Sequence, residues 1–320
     1  MKQRIIVGTV VLAILAATLV PAGTGLLRPF SFCLTCDFRW LADAVLNVGL
    51  FLPFGTAAAW HAKSFWKVAV AGALLSTAIE LLQLVVPGRD PELRDILSNT
   101  MGAVLGAALV YRPRAWLLPS GRRAAWLAGV TAAGILAVIV CTAVLLSPAR
   151  TQDPLHVSRV DGDAVVGYQS RADVIGLDQP AYYVRGMFPG VDPGPVLVDV
   201  SHRRTGWCLR LAATERCRIG PTLGRGWAAL VYPTAIAHRW ADALIDILWT
   251  AVLFFPLGFW TTRRAVALSI GALILLLGVL PTMVGLVPTT LGEWAGACVS
   301  AAAGYIVATV IRRHLSVARA

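Results

Sequence analysis

The sequence predicts an all-α polytopic membrane protein of about eight transmembrane helices in two parallel repeats, with a small extracytoplasmic β domain inserted. Three observations predict this fold class. The chain is 57% hydrophobic and 14% charged, whereas soluble domains are about a quarter charged. Its basic residues are concentrated in alternate segments between the apolar runs. A motif of polar residues and glycines also occurs twice along the chain.

Eight apolar runs are long enough to cross a bilayer, which takes roughly 17 to 25 helical residues. They lie near residues 4–22, 41–60, 68–87, 95–111, 124–147, 241–260, 265–287 and 293–311. The first run follows two basic residues, as a signal peptide would. Its apolar stretch from Ile5 to Val20 is long for a signal core, however. We therefore expect it to be retained as a helix.

The net charge of +11 indicates orientation in a membrane rather than nucleic-acid binding. Basic residues occupy every second connection, and these segments contain no Asp or Glu. They are Lys2, Arg4, Lys63, Lys67, Arg112, Arg114, Arg122, Arg123, Arg263, Arg264, Arg312, Arg313 and Arg319. The positive-inside rule then places both termini in the cytoplasm. The expected partners of these residues are anionic membrane lipids, and no nucleic acid is expected.

Residues 148–238 break the apolar pattern and are expected to form the extracytoplasmic β domain. Short runs of strand character, separated by Gly, Pro and Asp, predict a sandwich-like meander. The predicted strands are Ala164–Gln169, Ala181–Phe188, Val196–His202, Trp207–Ala213 and Trp227–Tyr232. Cys208 and Cys217 flank a predicted hairpin that a disulfide could bridge. Cys33 and Cys36, in the first outer loop, are expected to form a structural disulfide or to remain two thiols.

The repeated motif lies at the start of the second and sixth spans and aligns without gaps. Asp43, Asn47, Phe51, Pro53 and Gly55 match Asp246, Thr250, Phe254, Pro256 and Gly258. At identical spacing, Asp95, Asn99, Gly102 and Gly106 match Glu293, Ala297, Ser300 and Gly304. Spans one to four and five to eight are therefore predicted to be parallel repeats. The second copy has lost most of the polar residues, so we expect the first to be active and the second to be a scaffold.

Polar residues at helical spacing predict one outward-facing pocket in the first repeat. Spacings of three and four residues place them on one face of each of three spans. Such groups are costly in a membrane unless they face protein, water or a ligand. At a rise of about 1.5 Å per residue, all three faces reach a similar depth near the outer surface. The predicted ligand-binding residues are Asp43, Asn47, Glu80, Gln83, Arg89, Asp95 and Asn99.

Several roles are open to these residues. Arg89 could pair with a carboxylate or hold a phosphate bidentately. Glu80 or Asp95 could act as a general acid or base if the protein is an enzyme. Alternatively, the polar groups satisfy one another and fix helix packing, as we expect of Gly102 and Gly106. No nucleophile–base pair or metal-ligand set is recognisable, and no cofactor is predicted.

The ordered motifs resemble those of the VanZ-like family. They read D-x3-N-x3-F-x-P-F-G, then E-x2-Q-x5-R, then R-D-x3-N-x2-G-x3-G, over about residues 40–110. The residues that carry the resemblance are Asp43, Asn47, Phe51, Pro53, Phe54, Gly55, Glu80, Gln83, Arg89, Asp95, Asn99, Gly102 and Gly106. The family's namesake gives low-level resistance to the lipoglycopeptide-type antibiotic teicoplanin. The resemblance therefore implies a protein of the bacterial cytoplasmic (inner) membrane that acts in the cell envelope, with antibiotic resistance as one such role.

These observations predict four segments along the chain. Residues 1–111 form the first membrane repeat around the VanZ-like core at 40–110, and residues 112–147 form a cytoplasmic loop and the fifth transmembrane helix. The β domain follows at 148–238, and residues 239–320 form the degenerate second repeat, with its motifs at 240–310, and a basic cytoplasmic tail.

Our leading hypothesis from the sequence is that the protein binds an amphiphilic, anionic ligand at the outer leaflet. A lipid-linked or phosphate-bearing envelope precursor, or a lipid-like antibiotic, would fit. The alternative is an intramembrane enzyme that acts on a lipid-linked substrate. A transporter ranks third, because transporter sites are expected near the membrane midplane.

Overall fold

Helices and a small antiparallel β region make up the chain in the computed structural model. The structure describes residues 2–21, 27–62, 64–111, 113–119, 121–149, 155–160, 162–188, 198–203, 205–212, 214–231 and 239–317. The chain divides into two compact units, Met1–Ala115 and Trp116–Ala320.

Seven helices in the described part of the chain are long and apolar enough to cross a membrane, which supports a multi-pass membrane protein. They are Trp40–Ala62, Phe65–Gln83, Leu93–Tyr111, Gly121–Leu145, Trp240–Trp260, Arg263–Met283 and Leu291–His314. They correspond to the second to eighth predicted spans. The first predicted span is also helical, but its apolar part, Ile5–Leu19, is shorter, so its crossing of the membrane stays a prediction.

The first unit is a bundle of four long helices followed by a short one. They are α1 (Lys2–Leu19), α2 (Trp40–Ala62), α3 (Phe65–Gln83), α4 (Leu93–Tyr111) and α5 (Pro113–Leu117). Apolar residues from all four long helices, including Ile14, Phe51, Ile79 and Ala103, form one buried core. Helix α2 continues through Pro53.

Glycines allow α2 and α4 to pack with their backbones in contact. A methyl group at Gly55 would overlap the carbonyl oxygen of Ala103. Methyl groups at Gly102 and Gly106 would overlap carbonyl oxygens of α2 in the same way. The expectation that Gly102 and Gly106 are close-packing glycines is therefore confirmed.

In its described part, the second unit contains four long helical spans and two β-sheets. Its helices are α6 (Gly121–Leu145), α7 (Arg171–Val174), α8 (Arg239–Trp260), α9 (Val266–Ile274), α10 (Leu280–Met283) and α11 (Leu291–Val317). A π-helical segment, Leu275–Val279, joins α9 to α10, so the seventh predicted span is helical up to Met283 with a local widening, and its last residues, 284–287, form a turn and a loop. Between α8 and α11, a methyl group at Gly258 would overlap the carbonyl oxygen of Ala301. The close approach seen at Gly55 thus recurs at the matching glycine.

The β region consists of two three-stranded antiparallel sheets that share one apolar core. The first sheet holds β1 (His156–Val160), β2 (Asp163–Gly167) and β3 (Ala181–Val184), and the second holds β4 (Asp199–Arg203), β5 (Gly206–Leu211) and β6 (Thr214–Ile219). In both sheets the middle strand pairs with its two sequence neighbours, and Val166 and Leu209 point into the shared core. The Cys208–Cys217 disulfide joins β5 to β6, as the sequence suggested.

Three strand predictions were wrong or missing. Trp227–Tyr232 was predicted as a strand, but Gly224–Ala229 is a 3-10 helix, because buried Trp227 donates its indole N–H to Asp246. Strands β1 and β6 were missed because their side chains are mostly polar or exposed and show no apolar alternation. Residues 196, 197, 213 and 232 of the predicted strands lie outside the described residues.

Candidate functional site

A loop and an extended segment enclose one end of the first bundle. The Ser31 backbone N–H donates to the Pro91 carbonyl at 2.9 Å, and the Leu93 N–H donates to the Ser31 carbonyl at 2.9 Å. The Cys33–Cys36 disulfide tightens the turn that leads into α2. The segment before α2 is therefore fastened to the α3–α4 loop just where α4 begins.

These two segments and the starts of α2 and α4 surround a cavity of about 810 Å³. Its charged lining residues are Arg28, Arg39, Arg89, Arg94, Asp37, Asp43, Asp90, Glu92 and Asp95. Asn47 and Gln83 also line it. Of the seven predicted ligand-binding residues, the cavity thus brings together Asp43, Asn47, Gln83, Arg89 and Asp95.

Arg94 is the charged centre of this cavity. The residue is 7% exposed. Its guanidinium pairs with Glu92, and it lies 3.9 Å from the Asp43 carboxylate and 3.6 Å from the Asp95 carboxylate. Nη1 of Arg94 is buried and has no hydrogen-bond partner in the described part of the chain. One guanidinium is therefore shared by three carboxyl groups and keeps an unused donor.

Carboxyl groups outnumber guanidinium groups in the lining, five to four. Burial raises the pKa of Glu92, and the Arg94 guanidinium partly offsets this effect. Arg39 lies 3.5 Å from Asp43, and the Asn47 side chain is hydrogen-bonded to Asp95. The cavity is consequently mixed in charge.

Glu80 and Asn99 lie behind the cavity wall rather than in it. Glu80 is 2% exposed, and its Oε2 accepts the backbone N–H of Glu92 at 2.8 Å. The Asn99 amide donates to the Ser76 hydroxyl at 2.9 Å, between α3 and α4. Both contacts position the start of α4. The convergence of all seven residues on one open pocket, expected from the sequence, is therefore only partial.

Gln83 and Arg89 make their closest contacts with α1. The Gln83 amide donates to the Thr18 carbonyl at 3.0 Å. Arg89 donates to the carbonyls of Val20 and Ala17 at 2.9 and 3.0 Å. The last carbonyls of a helix have no partner within it, and a cation there interacts favourably with the helix dipole. Both residues therefore hold α1 at the cavity edge, and among the described residues Arg89 does not have the carboxylate partner that the sequence suggested.

Sequence reasoning left Arg94 and Arg39 out of the site. The sequence nevertheless contains a signal for both. Arg39 lies four residues before Asp43, and Arg94 directly precedes Asp95. Buried carboxylates require such a counter-charge.

At the matching positions, the second unit uses its polar residues to hold a loop. The Glu293 carboxylate is completely buried and accepts hydrogen bonds from the Thr222 hydroxyl and from the backbone N–H groups of Gly224 and Thr290. Arg225 lies 3.1 Å from Asp242 and 3.8 Å from Asp246. These contacts fasten the segment around residues 222–229 to α8 and α11.

Comparison with protein families identifies residues 9–117 as a match to the family described as VanZ/LLP1. The matched segment covers the second half of α1, all of α2 to α4 and the whole cavity lining. Neither the comparison with curated proteins nor that with solved structures gives a match.

Proposed function

The chain carries a VanZ-like segment at residues 9–117, and from this premise we propose that it binds the polar headgroup of an amphiphile in the cavity of the first unit. The amphiphile is a lipid-linked component of the bacterial cell envelope or a lipoglycopeptide antibiotic. Binding takes place at the outer face of the cytoplasmic membrane, and the apolar part of the ligand remains in the bilayer.

One observation carries this proposal: Arg94 is a buried cavity residue with an unused donor. Burying an N–H group of a cation without a partner is costly. A ligand oxygen in the cavity would remove that cost. The cavity volume of about 810 Å³ lies within the range of about 300–1,000 Å³ that is usual for small-molecule sites.

The charge of the lining refines the class of ligand. The sequence suggested an anionic ligand because Arg89 could hold a phosphate. In the structure, Arg89 donates instead to two carbonyl groups at the end of α1. Five carboxyl and four guanidinium groups favour a headgroup that carries both an ammonium and an anionic group. Peptide-bearing lipid-linked precursors and lipoglycopeptides both have this chemistry.

The proposed orientation rests on charges and disulfides. Both disulfides, Cys33–Cys36 and Cys208–Cys217, lie in segments that the basic residues assign to the outer side. Disulfides persist in oxidising compartments such as the periplasm and cell surface. We therefore propose cytoplasmic termini, an extracytoplasmic β region at 148–238, and two parallel repeats of one helical unit.

A cavity-filling substitution tests the proposal without removing a polar contact. Leu46 lines the cavity from α2, whereas its neighbour Val45 does not. The two side chains are similarly exposed, at 39% and 43%. We expect Leu46→Trp to weaken teicoplanin binding about tenfold or more, because the indole would occupy the headgroup volume. Val45→Trp should bind like the wild type.

The measurement is a fluorescence titration of the full-length protein in nanodiscs with teicoplanin. Native mass spectrometry of the protein extracted from bacterial membranes then reports bound lipid-linked species. Loss of both signals in Leu46→Trp but not in Val45→Trp would support the proposal. Equal binding by the two variants, with unchanged melting temperatures, would refute it.

A further inference from the structure

A second cavity, of about 590 Å³, lies within the second unit at the start of α8. Strands β3 and β6 form its outer walls, and Asp242 and Asp246 of α8 line its base. Asp246 is the residue that matches Asp43 of the first cavity. The second unit thus has an open cavity at the same end of its matching helix, where the sequence suggested only a scaffold.

Buried Arg225 offsets part of the negative charge at the base of this cavity. It is 7% exposed, and its guanidinium lies 3.1 Å from Asp242 and 3.8 Å from Asp246. It also donates to the Ala181 carbonyl at 2.9 Å. Its Nε is buried and has no hydrogen-bond partner among the described residues. One guanidinium therefore serves two carboxylates, and any positive excess in the cavity has to come from the rest of its lining.

Three further arginines line the cavity at its rim: Arg185, Arg216 and Arg218. All three are exposed, and within the described ranges none forms an ion pair with a carboxylate. Two other arginines of the second sheet behave differently, because Arg203 and Arg210 both lie close to Glu215, at 3.4 and 3.6 Å. The lining as a whole has four guanidinium groups against two carboxylates.

We propose that this cavity binds the phosphoryl group of an organic phosphate. Guanidinium groups match phosphate oxygens in a bidentate geometry, and charge-assisted bonds of this kind are among the strongest in proteins. A cavity of about 590 Å³ has room for a carrier group beside the phosphate. Tyr183 lines the same cavity and offers the carrier an aromatic surface. The ligand is a phospholipid headgroup or a soluble phosphate ester.

The test compares two double variants of the full-length protein in nanodiscs of zwitterionic lipid. Arg185→Gln with Arg216→Gln removes two rim charges. Arg203→Gln with Arg210→Gln removes two charges from the second sheet, outside the cavity. Each protein is titrated calorimetrically with inorganic phosphate and with glycerol phosphate at constant ionic strength. In parallel, native mass spectrometry measures retention of an anionic phospholipid, phosphatidylglycerol, against phosphatidylcholine.

We expect the rim variant to bind about tenfold more weakly or worse, and the control variant to bind like the wild type. Saturable binding of the soluble phosphates would identify the ligand as a soluble phosphate ester. Selective retention of phosphatidylglycerol without soluble binding would identify a lipid headgroup. The proposal is overturned if neither probe binds, or if the two double variants lose binding equally, since that would indicate a nonspecific charge effect. Unchanged melting temperatures would establish that both variants are folded.

Discussion

Two buried arginines, Arg94 and Arg225, occupy equivalent chemical positions in the two units. Each is 7% exposed and lies 3.8 to 3.9 Å from the aspartate that recurs in the repeat, Asp43 or Asp246. They come from different elements, α4 in one unit and a 3-10 helix in the other. A gapless sequence comparison therefore found the aspartates but could not find their partners.

The contacts of Glu80 assign it a positioning role. Its carboxylate accepts the Glu92 backbone N–H, and an amide oxygen can replace it in this contact. Glu80→Gln should thus melt close to the wild type. Glu80→Ala should lose about 1–3 kcal/mol, because it leaves a backbone donor without a partner. Thermal unfolding in detergent measures both.

The catalytic alternative for Glu80 makes the opposite prediction. If the ionised carboxylate acted directly on a substrate, the Glu80→Gln protein would remain folded but would no longer convert that substrate. That result would restore the role suggested by the sequence and contradict the positioning role.

Among the elements, the helix pairs α2–α4 and α8–α11 are built on glycine contacts that the sequence could predict. Spacing of three and four residues was enough to place Gly102 and Gly106 at an interface. The 3-10 helix around Trp227 was not predictable in this way. Its local sequence favours a strand, and a long-range hydrogen bond to Asp246 overrides that preference.

Gly55→Ala should destabilise the first unit. The new methyl group would overlap the Ala103 carbonyl oxygen, and overpacking of this kind costs about 1–3 kcal/mol. Gly49, on the same helix, has open space where its methyl group would lie, so Gly49→Ala serves as the matched control. Thermal unfolding in detergent should show a lower midpoint for the first variant only. An unchanged midpoint for Gly55→Ala would contradict the close approach of α2 and α4.

For the whole molecule, composition and charge distribution were sufficient to predict a multi-pass membrane protein. The length of an apolar run predicts a membrane-spanning helix directly, since about 20 helical residues cross the bilayer. The cavity was harder to predict, because its lining comes from a loop, an extended segment and two helix starts. Sequence spacing relates residues within one helix, and it does not show that Gln83 and Arg89 contact α1.

The proposed orientation can be tested with alkaline phosphatase fusions, which are active only outside the cytoplasm. We expect activity for fusions after Pro91 and Arg203. Fusions after Ala62, Leu118 and Thr262 should be inactive, since the basic residues near these points favour the cytoplasm. Expression of each fusion is verified by immunoblot. The reverse pattern would place the cavity and both disulfides on the cytoplasmic side and would contradict the proposed site of binding.

The most direct test of the central claim is a cryo-EM map of the full-length protein in native bacterial lipid, with a bound antibody fragment to aid alignment. We predict density for a polar headgroup in the cavity, in contact with Arg94, and continuous with an apolar chain in the outer leaflet. The Leu46→Trp protein should lack that density. A wild-type cavity that holds only ordered water, with Arg94 hydrogen-bonded to it, would contradict the account.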